Sequence, residues 1–204
     1  PLADGEVIQT SSLHALSNGM TLQVLFEQLS EMRKTIHIPV VLMGYMNPIL
    51  QFGFEAFCAR AKEVGVDGLI LPDLPLFEFE NSYGKTIKDN GLDFIFLVTP
   101  ETPEERLRKL DSLSSGFLYA VSSSATTGKD KDFSQVALYL ERLQQMNLKN
   151  PILVGFGIKD KQSFDAVNEF TQGAIIGSAY INALAKGEDV GETTKQFLNG
   201  VLGN

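Results

Sequence analysis

The stretch PILVGFGIKDKQSFDAVNEFTQGAIIGSAYINAL, residues 151–184, decides the fold class. A short, continuous apolar run leads through a glycine-rich turn into a helical pattern, and a second apolar run and glycine turn follow. Apolar runs of this length are typical of strands that are buried on both faces, and a helix between two such strands makes them parallel. The stretch therefore predicts a βαβ unit of a parallel sheet.

The same alternation extends back toward the start of the chain. Six apolar runs, rich in branched aliphatic and aromatic residues, begin at Ile38, Val66, Leu92, Phe117, Pro151 and Gly173. Helical patterns separate them, and three of these end at a glycine, which favours the left-handed C-terminal position: Gly65, Gly91 and Gly116. An earlier helical stretch begins after Thr21, a suitable N-cap. Six strands alternating with helices predict an α/β fold.

Two glycine-rich loops indicate how the sheet is arranged. GFG at 155–157 and GSA at 177–179 follow the last two strands, where eight-stranded barrels hold a phosphate group. A complete barrel has about 250 residues, whereas this chain has 204 and opens on Pro1 in the predicted loop PLADGEVIQT. Length and strand count together predict one domain, residues 1–204, that is an incomplete TIM (β/α)8 barrel with strands three to eight.

Composition excludes several classes of protein. The chain carries a net charge of −8 and a mean hydropathy of +0.02, and its Lys and Arg residues are scattered. Such a chain repels a nucleic-acid backbone, and no apolar run approaches the roughly 20 residues that span a bilayer. With no leader pattern and a single cysteine, Cys58, we expect a cytoplasmic protein whose thiol is buried in a helix.

The two glycine loops are candidate phosphate sites. Gly155 and Gly157 let backbone amides approach an anion, and the helix that begins near Lys159 adds its positive end. Gly177 repeats the arrangement, with Ser178 as a hydroxyl and amide donor. A glycine at a strand end is often only a turn, but two in succession at matching strand ends favour a phosphate site.

The polar loop SSSATTGKDKDF, residues 122–133, follows the run that contains Tyr119. It is either a solvated connection or a lid that closes on a ligand. We expect a lid, through which Thr127 and Gly128 reach the same phosphate.

Few acidic residues stand where a barrel performs chemistry. Asp4 in the opening loop is a catalytic acid, a helix N-cap or a solvated charge, and Asp73 in LILPDLP either reacts or caps the next helix. Tyr45 and Asn47 end the first strand at the same mouth. Aromatic and aliphatic residues there line a pocket or belong to the core: Tyr45, Leu71, Phe96, Tyr119 and Phe156.

Familiar catalytic sets are missing from the sequence. Neither His14 nor His37 belongs to a cluster with metal-ligand spacing, and there is no GxSxG motif or Walker loop. Lys is absent from inner strand positions, which argues against a Schiff-base aldolase.

Taken together, the motifs resemble the tryptophan synthase alpha chain family. The matching stretches, in the family's order, are PLADG (1–5), GYMNP (44–48), GVDGLILPDLP (65–75), VTPETPEERL (98–107), FLYAVSSSATTG (117–128), PILVGFGIKDKQS (151–163) and GAIIGSAYINAL (173–184). The resemblance implies a (β/α)8 barrel that cleaves indole-3-glycerol phosphate to indole and glyceraldehyde 3-phosphate.

The resemblance also assigns residues. It makes Asp4 the carboxylate that accepts the indole N–H, places Tyr119 near the substrate, and gives Thr127 to the lid. The implied phosphate cradle consists of Gly128, Gly157, Gly177 and Ser178, and the implied substrate pocket includes Tyr45, Leu71 and Phe156.

It further implies a partner, a beta chain that carries pyridoxal phosphate, in an alpha2-beta2 heterotetramer. Asn47 and Pro75 fall on loops that resemble the partner-facing ones, although they are equally well explained as turn residues. No cofactor is expected in this chain itself.

Two departures from the family pattern stand out. The family's acid–base glutamate lies upstream of PLADG and is not among these 204 residues, so we expect little or no activity. In the lid, Ala125 and Thr126 stand where the family usually has Gly and Val.

Two other interpretations compete with the lyase. One is another phosphate-binding barrel of aromatic amino-acid or histidine biosynthesis, such as a phosphoribosyl isomerase, which should not carry PLADG and PDLP together. The other is a non-catalytic partner that binds the beta chain without turning over substrate.

Overall fold

A computed structural model of the chain describes residues 4–121, 133–155 and 157–203. Among these residues there are seven strands and eleven α-helices, and helices separate most of the strands. The strands are β1 Val41–Met43, β2 Gly68–Ile70, β3 Asp93–Phe94, β4 Leu97–Val98, β5 Leu118–Val121, β6 Ile152–Gly155 and β7 Gly173–Ala174. The helices are α1 Glu6–Ser17, α2 Leu22–Leu29, α3 Met46–Phe52, α4 Phe54–Glu63, α5 Leu76–Glu78, α6 Gly84–Asp89, α7 Glu104–Leu113, α8 Phe133–Gln145, α9 Lys161–Asn168, α10 Ser178–Leu184 and α11 Val190–Leu202. A 3-10 turn, Met32–Lys34, follows α2, and a π-helical segment, Phe79–Tyr83, joins α5 to α6.

Every strand pair is parallel, which confirms the predicted α/β fold. Strands β1, β2 and β3 form one sheet in that order, and β4, β5, β6 and β7 form another. No helix among the described residues is long and apolar enough to cross a membrane. The closure of the sheets into an incomplete barrel with strands three to eight stays a prediction.

The chain divides into two compact units, each built from separated segments. The first unit comprises Pro1–Ser12, Leu97–Leu113 and Phe117–Asn204, and the second comprises Leu13–Phe96 and Ser114–Gly116. The prediction of one domain over residues 1–204 therefore stays a prediction.

The apolar run from Leu92 was predicted as one strand, and the structure corrects this. It forms two strands in different sheets, β3 and β4. The backbone N–H of Phe94 donates to the Ser115 hydroxyl, and its carbonyl accepts from the Ser115 N–H and from the Ser114 hydroxyl. The Ser114 hydroxyl also accepts the N–H of Phe96. Two serines thus replace a neighbouring strand along this edge of β3 and end the ladder there.

Aromatic packing forms much of the core of the second unit. The rings of Phe79, Phe94 and Phe96 lie with centroids 4.7–4.9 Å apart, a spacing typical of favourable ring pairs. Phe96, a candidate pocket residue in the sequence, is buried in this cluster. Cys58 is buried in α4, as predicted, and burial raises the pKa of its thiol to about 12.

Several helix ends follow the sequence prediction. The Thr21 hydroxyl accepts the Val24 N–H and caps α2, and Gly65, Gly91 and Gly116 all have positive φ. The prediction that PLADGEVIQT is entirely loop is wrong, because α1 begins at Glu6. The Gln9 amide donates to the Asp4 carbonyl at 2.7 Å and secures this first turn.

A buried carboxylate organises the entry to β6 in the first unit. Asp111, in the last turn of α7, accepts the backbone N–H groups of Lys149 (2.7 Å) and Asn150 (3.0 Å). The Asn150 side chain adds a 2.9 Å bond to the same carboxylate and a 2.6 Å bond to the Asp111 carbonyl. These bonds satisfy a buried acid and fix the turn that leads into the strand.

We expect Asp111→Ala to lower the free energy of unfolding by about 2–4 kcal/mol, because two buried N–H groups and one amide lose their acceptor. The matched control is Asp89→Ala, which removes an exposed ion pair with Lys85 and should change stability by less than about 0.5 kcal/mol. Urea unfolding measures both; equal effects would contradict the role assigned to Asp111.

Candidate active site

The first candidate group lies in the first unit, on one face of the sheet formed by β4 to β7. Strand register places Leu97, Tyr119, Leu153 and Gly173 side by side across the four strands. Gly155 lies two residues beyond Leu153 and therefore on the same face. The opposite face of β5 and β6 is fully buried, so Tyr119 and Gly155 lie on the more accessible side.

The Tyr119 ring packs directly over the Gly155 backbone. A Cβ atom on Gly155 would lie 2.5 Å from Cε2 and 2.8 Å from Cζ of Tyr119 and would also overlap its hydroxyl oxygen. Only glycine leaves this space open. The sequence interpreted Gly155 as an approach for an anion; the structure shows that it makes room for the tyrosine ring.

Asp4 lies close enough to Tyr119 to affect its ionisation. Burial raises the pKa of the Tyr119 phenol above its ordinary value, and the negative charge of Asp4 raises it further. Asp4 itself is half-buried. The structure therefore brings Asp4 close to Tyr119, the two residues to which the family resemblance assigns catalytic roles, and the raised pKa favours the protonated, hydrogen-bond-donating form of Tyr119.

The α10 glycine loop lies beside the start of α1. A Cβ atom on Gly177 would lie 3.4 Å from Cδ1 of Ile8, a neighbour that the sequence did not identify. Gly177 and Ser178 are exposed, and Gly177 precedes α10 without a side-chain N-cap. The first amides of α10 therefore face an accessible surface.

The helix that follows the GFG loop, α9, differs from α10 because a carboxylate caps its first turn. Gly157 has φ +60° and open space around its Cβ position. The Asp160 carboxylate accepts the Ser163 N–H at 2.9 Å and caps α9, and hydrogen bonds from the Ser163 side chain and backbone lower the pKa of Asp160. An anion at this helix would meet that carboxylate. The predicted contribution of the positive end near Lys159 stays a prediction, and the start of α10, by contrast, has no side-chain cap.

A second group of predicted residues lies in the second unit. Tyr45 is half-buried and directly precedes α3, and Asn47 is exposed in the first turn of that helix rather than at a strand end. Leu71, next to β2, is only 4% exposed. Pro75 is exposed directly before α5. The substrate and partner roles of these four residues stay predictions.

Asp73, which the sequence left open as a reacting group or a cap of the next helix, accepts a backbone N–H at the start of an earlier helix. Both carboxylate oxygens accept the N–H of Met46, each at 3.0 Å, so Asp73 caps α3 instead of the next helix in sequence. A cap supplied from another loop leaves no signal in local spacing. The bond ties the loop before α3 to the loop before α5.

Three predicted site residues, Thr127, Gly128 and Phe156, lie outside the described residues, and their roles stay predictions. Within the described ranges, no group of three or more His, Cys, Asp or Glu side chains could hold a metal ion.

Comparisons with known proteins agree with one another. The sequence matches the family model of the tryptophan synthase alpha chain over residues 1–201. The tryptophan synthase alpha chain of Flavobacterium psychrophilum is 50% identical over 187 residues, which are 91% of this chain and 74% of that relative. That of Parabacteroides distasonis is 48% identical over 202 residues, 98% of this chain and 79% of the relative.

Solved structures match over the entire chain. The tryptophan synthase A-subunit of Pyrococcus furiosus has a TM-score of 0.89 at 34% identity and covers 100% of this chain, which spans 82% of it. A tryptophan synthase complex from the same organism matches with a TM-score of 0.87 at 34% identity. The match covers 100% of this chain and 82% of that one.

Gly155→Ala should lower the free energy of unfolding by about 1–3 kcal/mol, because the methyl group overlaps the Tyr119 ring. The double variant Gly155→Ala with Tyr119→Leu should recover part of this loss. Gly200→Ala is the matched control, since its Cβ position is open and a helical alanine stabilises. Thermal unfolding of the unmodified chain and the three variants measures the effects. If the double variant recovers no stability, overlap with the Tyr119 ring is not the cause of the loss.

The Tyr119 pKa should respond to Asp4 in a defined direction. In Asp4→Asn, the pKa should fall but stay above 10, because burial, the larger cause, remains. Since the native state holds this proton more tightly than the unfolded chain, stability should decline as the pH rises above about 10. Tyrosinate absorbance, measured against Tyr119→Phe, tests both statements. An unchanged Tyr119 pKa in Asp4→Asn would show that the charge of Asp4 does not act on Tyr119.

Proposed function

Because the chain belongs to the tryptophan synthase alpha chain family, we propose that it acts on indole-3-glycerol phosphate. Members of the family are lyases of tryptophan biosynthesis. The proposed reaction breaks the carbon–carbon bond between the indole ring and the glycerol phosphate by a retro-aldol step. It releases indole and glyceraldehyde 3-phosphate. We place it in the cytoplasm, in keeping with the buried, unpaired thiol of Cys58.

Three charge movements define what the site must supply. The indole ring gains a proton at C3, the glycerol hydroxyl next to the ring loses one, and positive charge develops on the indole nitrogen. We assign Asp4 to the nitrogen. A carboxylate that accepts the ring N–H is stabilised as that positive charge grows, so it favours the transition state over the ground state.

Tyr119 supports this assignment as a neutral neighbour. Its raised pKa keeps the phenol protonated, so it can donate a hydrogen bond to the substrate or to Asp4 without adding a second negative charge. The closeness of Asp4 to the Tyr119 phenol, shown by the effect of its charge on the Tyr119 pKa, is the single structural observation that carries the proposal.

The phosphate is proposed to bind at the loops after β6 and β7. Gly177 and Ser178 are exposed at the start of α10, and Gly157 leaves its loop open. Thr127 and Gly128 complete the cradle by the family resemblance. We expect α10 to carry most of the interaction, because Asp160 occupies the start of α9.

Two further proposals concern activity and partner. By the family resemblance, the acid–base glutamate precedes the PLADG motif, and these 204 residues do not include it. We therefore assign the proton transfer of the proposed reaction to that glutamate and not to Asp4 or Tyr119. We also propose a beta chain with pyridoxal phosphate as its partner in an alpha2-beta2 assembly, contacted through Asn47 and Pro75.

Substrate binding separates recognition from turnover. The 204-residue chain should bind indole-3-glycerol phosphate, and an analogue methylated at the indole nitrogen should bind roughly tenfold or more weakly, because the bond to Asp4 is lost. In Asp4→Ala, the two compounds should bind alike. Titration calorimetry gives the affinities, and an indole assay gives the rates.

The controls distinguish the alternatives. Asp165→Ala, an exposed change on α9 at an ion pair with Lys161, should leave the preference for the unmethylated substrate intact. If neither compound binds, a different phosphate substrate or a non-catalytic role is favoured. Indole release by these 204 residues alone at the rate of the F. psychrophilum chain would contradict the assignment to that glutamate and would require proton transfer by a carboxylate among them.

A further inference from the structure

Phe77 is unusual among the apolar side chains of the second unit. It is 70% exposed, and it is the one phenylalanine among the exposed large apolar residues of the described chain. Single exposed aliphatic residues are ordinary on protein surfaces. A well-exposed phenyl ring is less ordinary. Aromatic side chains are enriched at protein interfaces and contribute strongly to binding there, so an exposed ring indicates a candidate contact.

The backbone beneath Phe77 is held firmly. The N–H of Phe79 donates to the Pro75 carbonyl at 2.9 Å, and the Asn81 side chain donates to the Phe77 carbonyl at 2.7 Å. Phe77 thus belongs to a hydrogen-bonded helical turn that continues into the π-helical segment. The ring is presented on a rigid support, which reduces the entropy cost of binding.

A second exposed apolar residue lies on the neighbouring helix. Leu50 in α3 is 49% exposed and lies one helical turn beyond Asn47, on the same face. Asp73 joins α3 to the loop before Phe77 through its two bonds to Met46. We call Asn47, Leu50, Pro75 and Phe77 the Phe77 patch.

The surroundings of this patch are acidic. Residues 45–57 and 73–84 contain no Lys or Arg, whereas Asp73, Glu78 and Glu80 flank the aromatic residue in sequence. The chain as a whole carries a net charge of −8. In a symmetric dimer, the patch would meet a second acidic patch, and like charges at an interface oppose association. A partner with a basic surface fits better.

We propose that Phe77 is the anchor with which this chain enters an apolar pocket, rimmed by Lys or Arg, on its beta chain. The inference rests on the partner in the proposed function. It goes beyond that function by naming the anchor residue and the chemistry of the pocket that receives it. Leu50 contributes the second apolar contact. The acidic residues accelerate the encounter, so association slows as salt is added.

Binding of the purified beta chain of the same organism to the 204-residue chain tests this. Phe77→Ser should raise Kd roughly 30-fold or more, and Leu50→Ser should raise it several-fold. Val190→Ser, at a residue 68% exposed on α11, is the matched control and should stay within about twofold. Thermal unfolding and affinity for indole-3-glycerol phosphate confirm that each variant is folded.

The outcomes are distinct. If the unmodified chain binds the beta chain and folded Phe77→Ser binds equally well, the anchor is wrong while the proposed partner stands. If the unmodified chain does not bind at all, both fail, although substrate binding still tests the lyase proposal. A chain that dimerises until Phe77 is replaced would assign the patch to self-association and overturn the inference.

Discussion

The contact between the Tyr119 ring and the bare Gly155 backbone is the constraint on which the candidate site depends. β5 and β6 are adjacent parallel strands, so a large side chain on one strand needs space on the other. Glycine provides that space, and the ring can then lie beside Asp4. Burial in this position holds the Tyr119 proton. The absence of a methyl group at Gly155 thus permits the packing in which the Tyr119 phenol is buried near the acid.

The sequence predicted the parallel α/β fold because apolar runs and helical patterns alternate at regular spacing. It predicted Thr21 as a cap and three glycine helix ends for the same local reasons. It could not predict the division of the run from Leu92 into two strands. Every residue of that run is compatible with a single strand, and the interruption comes from the hydroxyls of Ser114 and Ser115, some twenty residues away. Hydrophobic periodicity cannot reveal that a side chain distant in sequence bonds the backbone groups that would otherwise pair with a strand.

Acidic residues show the same limit at the candidate site. Asp4 and Asp73 each stand near a strand end or helix start, and local pattern gave each more than one interpretation. The structure makes Asp73 and Asp160 helix caps and places Asp4 beside Tyr119. Family resemblance favoured Asp4 because it compares whole motifs. Charge and spacing alone could not separate an acid that reacts from an acid that caps a backbone amide.

The interleaving of the two units matters for how the protein is made. The second unit is complete once residue 116 has been synthesised, whereas the first unit needs segments from both ends of the chain. At a ribosomal rate of ~5–20 residues per second, β7 of the first unit is synthesised roughly 3–12 s later. During that interval, the second unit can fold while the start of the chain, including Asp4, still waits for the strands beside which it will lie. The candidate site can therefore form only after the second unit has been synthesised.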